Sequence, residues 1–111
     1  MAISGKPDKL QGTLDLLILK TLQRAPNHGF GITLHIQTAS DGFLQVEEGS
    51  LYPALHRLER QKLIKGEWKI TDNGRRARYY RLTPTGSKHL SSVEENWAML
   101  IASVGKVLRH A

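Results

Sequence analysis

The sequence predicts a mainly α-helical protein with a small β-hairpin, an α+β fold that forms one structural unit. Four segments have the apolar content and spacing of helices. Two further segments flank an Asn-Gly pair, which tolerates the positive φ of a tight hairpin turn. The chain has 111 residues, which is enough for one domain with a modest core.

Two helices are predicted in the first part of the chain. A polar lead-in, Met1 to Gln11, precedes Thr13 to Gln23, a segment so rich in Leu and Ile that we expect a central, buried helix. Thr13 is its candidate N-cap, and Pro26 follows its end. A shorter helix is predicted over Gly29 to Ala39, before a Ser-Asp-Gly break.

A third, amphipathic helix is predicted over Glu48 to Gln61. Leucines at spacings of four and three residues share one face, and basic side chains lie on the others. We expect Pro53 to lie in the first turn, because a proline deeper in a helix costs about 3 kcal/mol. Ser50 or Glu48 is then the candidate N-cap.

A basic β-hairpin is predicted next, from Ile64 to Ile70 and from Arg76 to Thr83. Side chains alternate along the second strand, so one side can carry guanidinium groups while the other buries an aromatic ring. The alternation does not decide whether Tyr79 or Tyr80 faces inward.

A long helix over Thr85 to Arg109 closes the chain. Its apolar residues recur every three or four positions, and its length of over 30 Å exceeds what a small three-helix domain covers, at about 1.5 Å per residue. We therefore expect it to pair with a second copy of the chain, packing against the first helix of the same chain being the alternative. The expected dimer contacts are Leu90, Val93, Trp97, Leu100, Ile101, Val104, Val107 and Leu108.

The order of three helices, a hairpin and a helix is the layout of a winged helix-turn-helix. Residues 1–83 would form a DNA-binding domain with its lead-in, and residues 84–111 a dimerisation helix. The major groove of DNA admits one α-helix, so polar residues near the start of the basic third helix are candidates to contact bases. Basic residues of the hairpin are candidates to contact phosphates.

These considerations select two sets of candidate DNA-binding residues. The set on the third helix is Ser50, Tyr52, Pro53, His56, Arg57 and Arg60, with Arg57 the leading candidate. The set on the hairpin is Lys69, Arg75, Arg76 and Arg78. Purely structural alternatives remain: Tyr52 as a core residue, Ser50 and Pro53 as helix-start residues, and Arg60 as the partner of Glu59 or Glu67.

Charge and composition favour an anionic partner. The net charge is +6, and residues 57–81 contain nine Lys and Arg against three acidic residues. An ordinary solvated basic face is the alternative interpretation of such a run. The chain contains no Cys and no run of about 20 apolar residues, so we expect a cytoplasmic protein without disulfides or membrane association.

Four stretches of the sequence resemble the PadR-like transcriptional regulators. They are LDLLIL from Leu14, HGFGI from His28, GSLYPALHRLE from Gly49 and RYYRLT from Arg78, the last two being the most specific. The similarity extends from about Gln11 to Leu90. It implies a dimeric repressor that binds a near-palindromic operator through a recognition helix and a wing, with the terminal helix crossing to the other subunit.

The resemblance also bears on ligands. Phe30 stands where the family usually has Tyr, so any contact made by that hydroxyl is absent here. The single C-terminal helix resembles the compact branch of the family, whose effector pocket would be small or lie at the dimer interface. Some members bind apolar or aromatic effectors, and Trp97 is the candidate to stack on such a ligand. No cofactor or metal is implied.

Other functions are less well supported. The chain lacks a Gly-x-Ser-x-Gly elbow, a Walker loop and a Cys nucleophile, and Leu34 replaces the last glycine of a dinucleotide fingerprint, so we do not expect an enzyme. Its five histidines include no i, i+4 pair suited to a metal sensor. A non-specific architectural or protein-docking winged helix is the main alternative.

Overall fold

The computed structural model describes residues 2–3 and 9–110, with side chains from residue 12 to residue 110. Its helices are α1 (Lys9–Arg24), α2 (Gly29–Ala39), α3 (Glu48–Arg60) and α4 (Pro84–His110). Its strands are β1 (Ala2–Ile3), β2 (Asn27–His28), β3 (Gln45–Val46), β4 (Ile64–Ile70) and β5 (Arg76–Leu82). The predicted fold class, a mainly helical winged helix-turn-helix with a long terminal helix, is confirmed.

The predicted hairpin is the main part of a three-stranded antiparallel sheet. Strands β4 and β5 pair from Ile64 opposite Leu82 to Ile70 opposite Arg76. Gly74 has a φ of 83° in the connecting turn, as the Asn-Gly pair predicted. Strand β2 adds to the other edge of β5, giving the order β2-β5-β4. A separate pair joins β1 to β3 in parallel.

Helix α1 lies at the centre of the fold, where it contacts α2, α3, α4 and β5. Its prediction as a buried central helix is confirmed, because most of its leucine and isoleucine side chains are buried. Every other helix and the hairpin also contribute to this core. Its fully buried side chains are Leu14, Ile18, Leu19, Ile32, Leu51, Leu55, Leu58, Ile64 and Leu90.

The start of α1 differs from the prediction. The helix begins at Lys9, so Thr13 lies inside it and is not its N-cap. The predicted lead-in therefore includes the first helical residues, and Ala2–Ile3 forms a strand. The remainder of Met1 to Gln11 lies outside the described residues.

Helix α3 begins at Glu48 as predicted, but its cap and the position of Pro53 differ from the prediction. Its N-cap is Glu47, whose side chain makes no capping hydrogen bond, and the N–H groups of Ser50 and Leu51 both donate to the Glu47 carbonyl at 3.0 Å. Pro53 is thus the sixth helical residue rather than a first-turn residue. Proline has no N–H to donate to the carbonyl of Gly49, so one helical hydrogen bond is missing there. Both residues lie on the exposed side of the helix, so the missing bond faces solvent and not the core.

The junction between β5 and α4 is tightly packed. Thr83 caps α4 by accepting a hydrogen bond from the Gly86 N–H at 2.9 Å, and Pro84 occupies the first helical position. The single hydrogen of the Thr83 hydroxyl is shared between the carbonyl oxygens of Lys62 and Leu63, which lie 2.7 and 3.0 Å from Oγ1. A Cβ at Gly86 would lie 1.9 Å from the Leu63 carbonyl oxygen, so only glycine fits there without a backbone shift.

The first half of α4 belongs to the core of its own chain. Leu90 is completely buried, and Val93 packs against the same core. The prediction that Leu90 contacts a second subunit is therefore wrong, because no part of its side chain is accessible. Val93 is likewise half-buried within the chain. From Trp97 onward the apolar side chains of α4 are exposed.

Candidate nucleic-acid interface

The outward side of α3 is polar and basic. Tyr52, Pro53, His56 and Arg60 are all exposed there, and at 100° per residue they share one side of the helix. Ser50 is buried, so its hydroxyl does not face outward. Its burial in the first turn of α3 fits the alternative that Ser50 is a helix-start residue, and does not support its selection as a DNA contact.

Arg57 points toward the protein and not toward solvent. Its Nη2 donates to Oδ1 of Asp15 on α1, and the two side chains are only 21% and 25% exposed. Burial raises the pKa of Asp15 from its ordinary value, although the charges of Arg57 and His89 act in the opposite direction. The Arg57 guanidinium therefore joins α3 to α1 in this structure and is not free on the outward side of the helix, where the sequence had selected it as a base contact.

Tyr52 bridges the two helices of the helix-turn-helix. Its side chain is 44% exposed, and its hydroxyl would lie 3.1 Å from a Cβ placed at Gly29. The absence of a side chain at Gly29 therefore lets the tyrosine ring approach the start of α2. Tyr52 remains accessible while its position is set by the helix beneath it.

The start of α2 is fixed by His28. Its Nδ1 accepts a hydrogen bond from the Gly31 N–H at 3.0 Å, which caps the helix. The His28 ring also meets the Tyr79 ring edge-on, with centroids 5.0 Å apart. These two contacts connect α2 to the hairpin and so help to set the position of the hairpin relative to the helices.

The hairpin, or wing, holds Arg78 in a structural contact. Its Nη2 donates to Oε2 of Glu59 on α3 at 2.7 Å. To reach Glu59 the side chain crosses Gly66, where a Cβ would lie 2.6 Å from the Arg78 Nε. Its charge is therefore paired within the protein, which makes Arg78 less available to a phosphate than the exposed cations of the wing.

The other basic residues of the wing are more accessible. Arg75, Arg76 and Lys69 are exposed. The Arg76 guanidinium lies over the Trp68 ring at 4.9 Å from its centroid, and the Lys69 ammonium lies over the Tyr79 ring at 5.6 Å. These three cations remain available for an anionic partner.

The structure also resolves two questions that the sequence left open. Tyr80 is the inward-facing tyrosine of β5, and burial raises the pKa of its hydroxyl. Glu59 and Glu67 pair with Arg78 and Arg81, so neither is the ion-pair partner of Arg60 within the described residues. Arg60 is exposed on the outward side of α3.

One cleft connects the wing to the two helices. It has a volume of about 300 Å³ and is lined by Phe30, Tyr52, Trp68 and Arg76 among others. Trp68 was not among the sequence-derived candidates, although it is 58% exposed. The available signal was an aromatic residue in a strand surrounded by basic residues, a pattern that fits nucleic-acid binding and a sheet surface equally well.

The C-terminal half of α4 forms a second candidate surface. We call it the α4 stripe: Trp97, Leu100, Ile101, Val104, Val107 and Leu108. The helix has 27 residues and is about 40 Å long at 1.5 Å per residue, within a molecule measuring 55 × 29 × 24 Å. The stripe continues the side of the helix that buries Leu90 and Val93, but within the chain it is exposed.

Among the residues that the structure describes, no group of three or more His, Asp or Glu side chains is arranged to hold a metal ion. None of the described helices combines the length and apolar character needed to cross a membrane.

The chain is similar to known proteins in both sequence and structure. The family model for the Transcriptional regulator PadR-like family matches residues 18–92. The transcriptional regulator Rv3488 of Mycobacterium tuberculosis is 40% identical over 67 residues, which cover 60% of this chain and 61% of the relative. The matched family residues include α3 and the wing.

Two solved structures are similar over nearly their whole length. A transcriptional regulator from Clostridium thermocellum has a TM-score of 0.81 and 30% identity, covering 90% of this chain and 97% of that one. A PadR-like transcriptional regulator from Bacillus cereus has a TM-score of 0.77 and 30% identity, covering 89% and 94%. With the family model matching more than half of its residues, the chain belongs to the PadR-like family of transcriptional regulators.

Proposed function

We propose that this regulator is a sequence-specific DNA-binding repressor that acts as a homodimer on a near-palindromic operator. The observation that carries the proposal is the exposed polar side of α3, which presents His56 and Arg60, beside a wing with exposed cations. Regulation of transcription follows from the family; repression, symmetry and dimerisation are the further steps that we propose.

In this proposal α3 enters the major groove of DNA. Tyr52, Pro53, His56 and Arg60 then face the base edges, since their side chains are exposed on one side of the helix. Arg60 and His56 supply hydrogen-bond donors and acceptors, while Pro53 and the Tyr52 ring offer apolar contacts. Arg57 takes no direct part, because its guanidinium is occupied by Asp15.

The wing contributes affinity rather than sequence preference. Lys69, Arg75 and Arg76 are exposed cations that would contact phosphates beside the groove. Phosphate contacts release condensed counterions, so binding should weaken steeply as the salt concentration rises.

The proposed dimer forms through the α4 stripe. Pairing of two stripes would cover exposed apolar side chains that include an indole, which is unfavourable to leave in water. A two-fold dimer presents two α3 helices to half-sites about one helical turn apart, so the operator is expected to be near-palindromic. Trp97 in this interface is also the proposed contact for a small aromatic or apolar effector.

Selection of bound sequences from a random duplex library at near-physiological salt tests the proposal. We expect enrichment of a two-fold symmetric motif. His56→Ala with Arg60→Ala should lose the motif, whereas Lys106→Ala, which removes a charge from the last turns of α4, should keep it. Binding without any enrichment would contradict sequence-specific regulation and favour an architectural role.

A further inference from the structure

Trp68 lies at the centre of a cluster of cations on the wing. Its ring has the Arg76 guanidinium carbon 4.9 Å from its centroid and the Arg78 guanidinium carbon 5.8 Å away. More than half of the indole side chain is exposed. Tryptophan is the aromatic residue that attracts cations most strongly, so both contacts are favourable.

The two arginines have different electrostatic environments. Arg78 is two-thirds buried and forms an ion pair with Glu59 at 2.7 Å. Arg76 is exposed, and within the described residues no carboxylate lies within ion-pair distance of it. The indole therefore contacts one neutralised guanidinium and one that keeps its full charge.

The strand register explains this arrangement. Trp68 on β4 lies directly opposite Arg78 on β5, and Arg76 is its diagonal neighbour two residues along β5 on the same side of the hairpin. Arg78 in turn reaches α3 through Glu59, so the indole lies against a side chain that is anchored to the helix. Through Trp68 and Arg78, the orientation of the Arg76 side chain therefore depends on where α3 lies.

We propose that Trp68 is a positioning residue that presents the Arg76 guanidinium to a phosphate of the DNA backbone. An exposed arginine loses rotamer freedom when it binds, and stacking on the indole reduces that entropic cost. Duplex DNA is the partner favoured here because the cleft beside Trp68 is bordered by Tyr52 of α3 and contains an unneutralised guanidinium. The inference rests on the proposed DNA-binding function and adds to it a residue that works through Arg76.

The test is a double-mutant cycle on the duplex selected by the wild-type protein, with the Kd measured over a range of salt concentrations. We expect Trp68→Leu to weaken binding roughly two- to fivefold, the size of an exposed cation–π contact. The salt dependence should become shallower by about one counterion per subunit. Trp68→Phe, which keeps an aromatic face, should retain most of the affinity.

Two further variants separate positioning from general damage. In an Arg76→Ala background, Trp68→Leu should have little additional effect, because the side chain through which it acts is gone. Met99→Ala removes another exposed apolar side chain, one that lies on α4 outside the wing, and should leave both Kd and salt dependence unchanged. Thermal unfolding of each variant checks that the fold is intact.

Each alternative outcome has a definite meaning. Wild-type affinity in Trp68→Leu, or effects of Trp68→Leu and Arg76→Ala that multiply, would overturn the inference. Equal losses in Trp68→Phe and Trp68→Leu would also overturn it, since the aromatic face would then be irrelevant. A wild-type protein that binds no duplex would instead refute the proposed function.

Discussion

At the scale of single residues, Asp15 and Glu59 govern which guanidinium groups near α3 are available to DNA. Asp15 holds Arg57 against α1, and Glu59 holds Arg78 against α3. Both pairs are partly buried, so the cost of desolvating the charges offsets much of their attraction. Their main effect is therefore on the orientation of the side chains, and Arg60 and Arg76 are left free to act.

We expect Arg57→Ala to destabilise the fold and to leave the base preference unchanged. The substitution leaves the partly buried Asp15 carboxylate without its partner, which costs about 1–3 kcal/mol. Denaturant unfolding measures the loss, and selection from a random duplex library measures the preference. Arg60→Ala is the matched control and should show the reverse pattern. A changed motif with unchanged stability would restore Arg57 as a base contact.

The pH dependence of stability gives a second test of the same site. Burial raises the pKa of Asp15 above its ordinary value of 3.8, so the folded state binds this proton more tightly than the unfolded state. Protonation therefore favours folding, and this contribution is fully present below the unfolded-state pKa and declines as the pH rises through the higher folded-state pKa.

Wild type and Asp15→Asn should accordingly differ in the slope of stability against pH. Between about pH 3 and pH 7, the free energy of unfolding of wild type should fall relative to that of the variant, with the decline starting near the ordinary carboxyl pKa. Denaturant titrations at each pH measure the difference. A difference that is constant with pH, or that grows in favour of wild type, contradicts this expectation.

At the scale of the elements, a few close contacts fix how the wing and α4 pack against the rest of the fold. The Thr83 hydroxyl bonds to both α4 and the end of the loop after α3, and Gly86 passes against the Leu63 carbonyl. His28 similarly caps α2 while packing against Tyr79 of the wing. Each junction uses a single residue for two contacts, so a small change there should disturb more than one element.

Gly86→Ala should destabilise the protein through such a clash. The new methyl group would lie 1.9 Å from a backbone oxygen, and overpacking of this kind typically costs about 1–3 kcal/mol. Gly12→Ala in α1 is the control, because a Cβ there meets no atom within 4 Å and alanine favours helix. Thermal unfolding compares the two; equal stability of both variants would show that the junction can relax.

At the scale of the whole molecule, α4 has two different roles along its length. Its first turns complete the core through Leu90 and Val93, and the α4 stripe leaves large apolar side chains in solvent. The helix therefore couples the DNA-binding core to the proposed dimer contact as one continuous element. A change in the packing of two stripes would move the two α3 helices relative to each other, which is how an effector near Trp97 would act.

If the proposed dimer forms through the α4 stripe, Val104→Asp should convert it into a monomer by placing a charge in the stripe. Sedimentation over a range of protein concentrations measures the association, and DNA affinity should fall with it because each half-site is then bound independently. Met99→Asp is the control, since Met99 is equally apolar and 68% exposed but lies on another side of α4. A stable dimer of Val104→Asp would place the interface elsewhere.

The sequence by itself determined the elements whose signals are carried by neighbouring residues. Apolar spacing predicted the helices, and the Asn-Gly pair predicted the hairpin turn, because both depend on local conformational preferences. The motifs around Gly49 and Arg78 were likewise sufficient to identify the family. Helix caps were less well predicted: Glu47, the N-cap of α3, is not a residue type that signals a cap, and the leucine-rich run that predicted α1 begins after the helix itself does at Lys9.

Only the tertiary structure decided which candidate side chains are available. Arg57 meets a carboxylate 42 residues away and Arg78 one 19 residues away, and no local pattern encodes such pairs. The two-residue strand β2 is too short for any alternation, and Leu90 has the same spacing in α4 as the exposed stripe. The physical reason is that burial and ion pairing depend on which distant segments meet, whereas helix and turn formation depend mainly on adjacent residues.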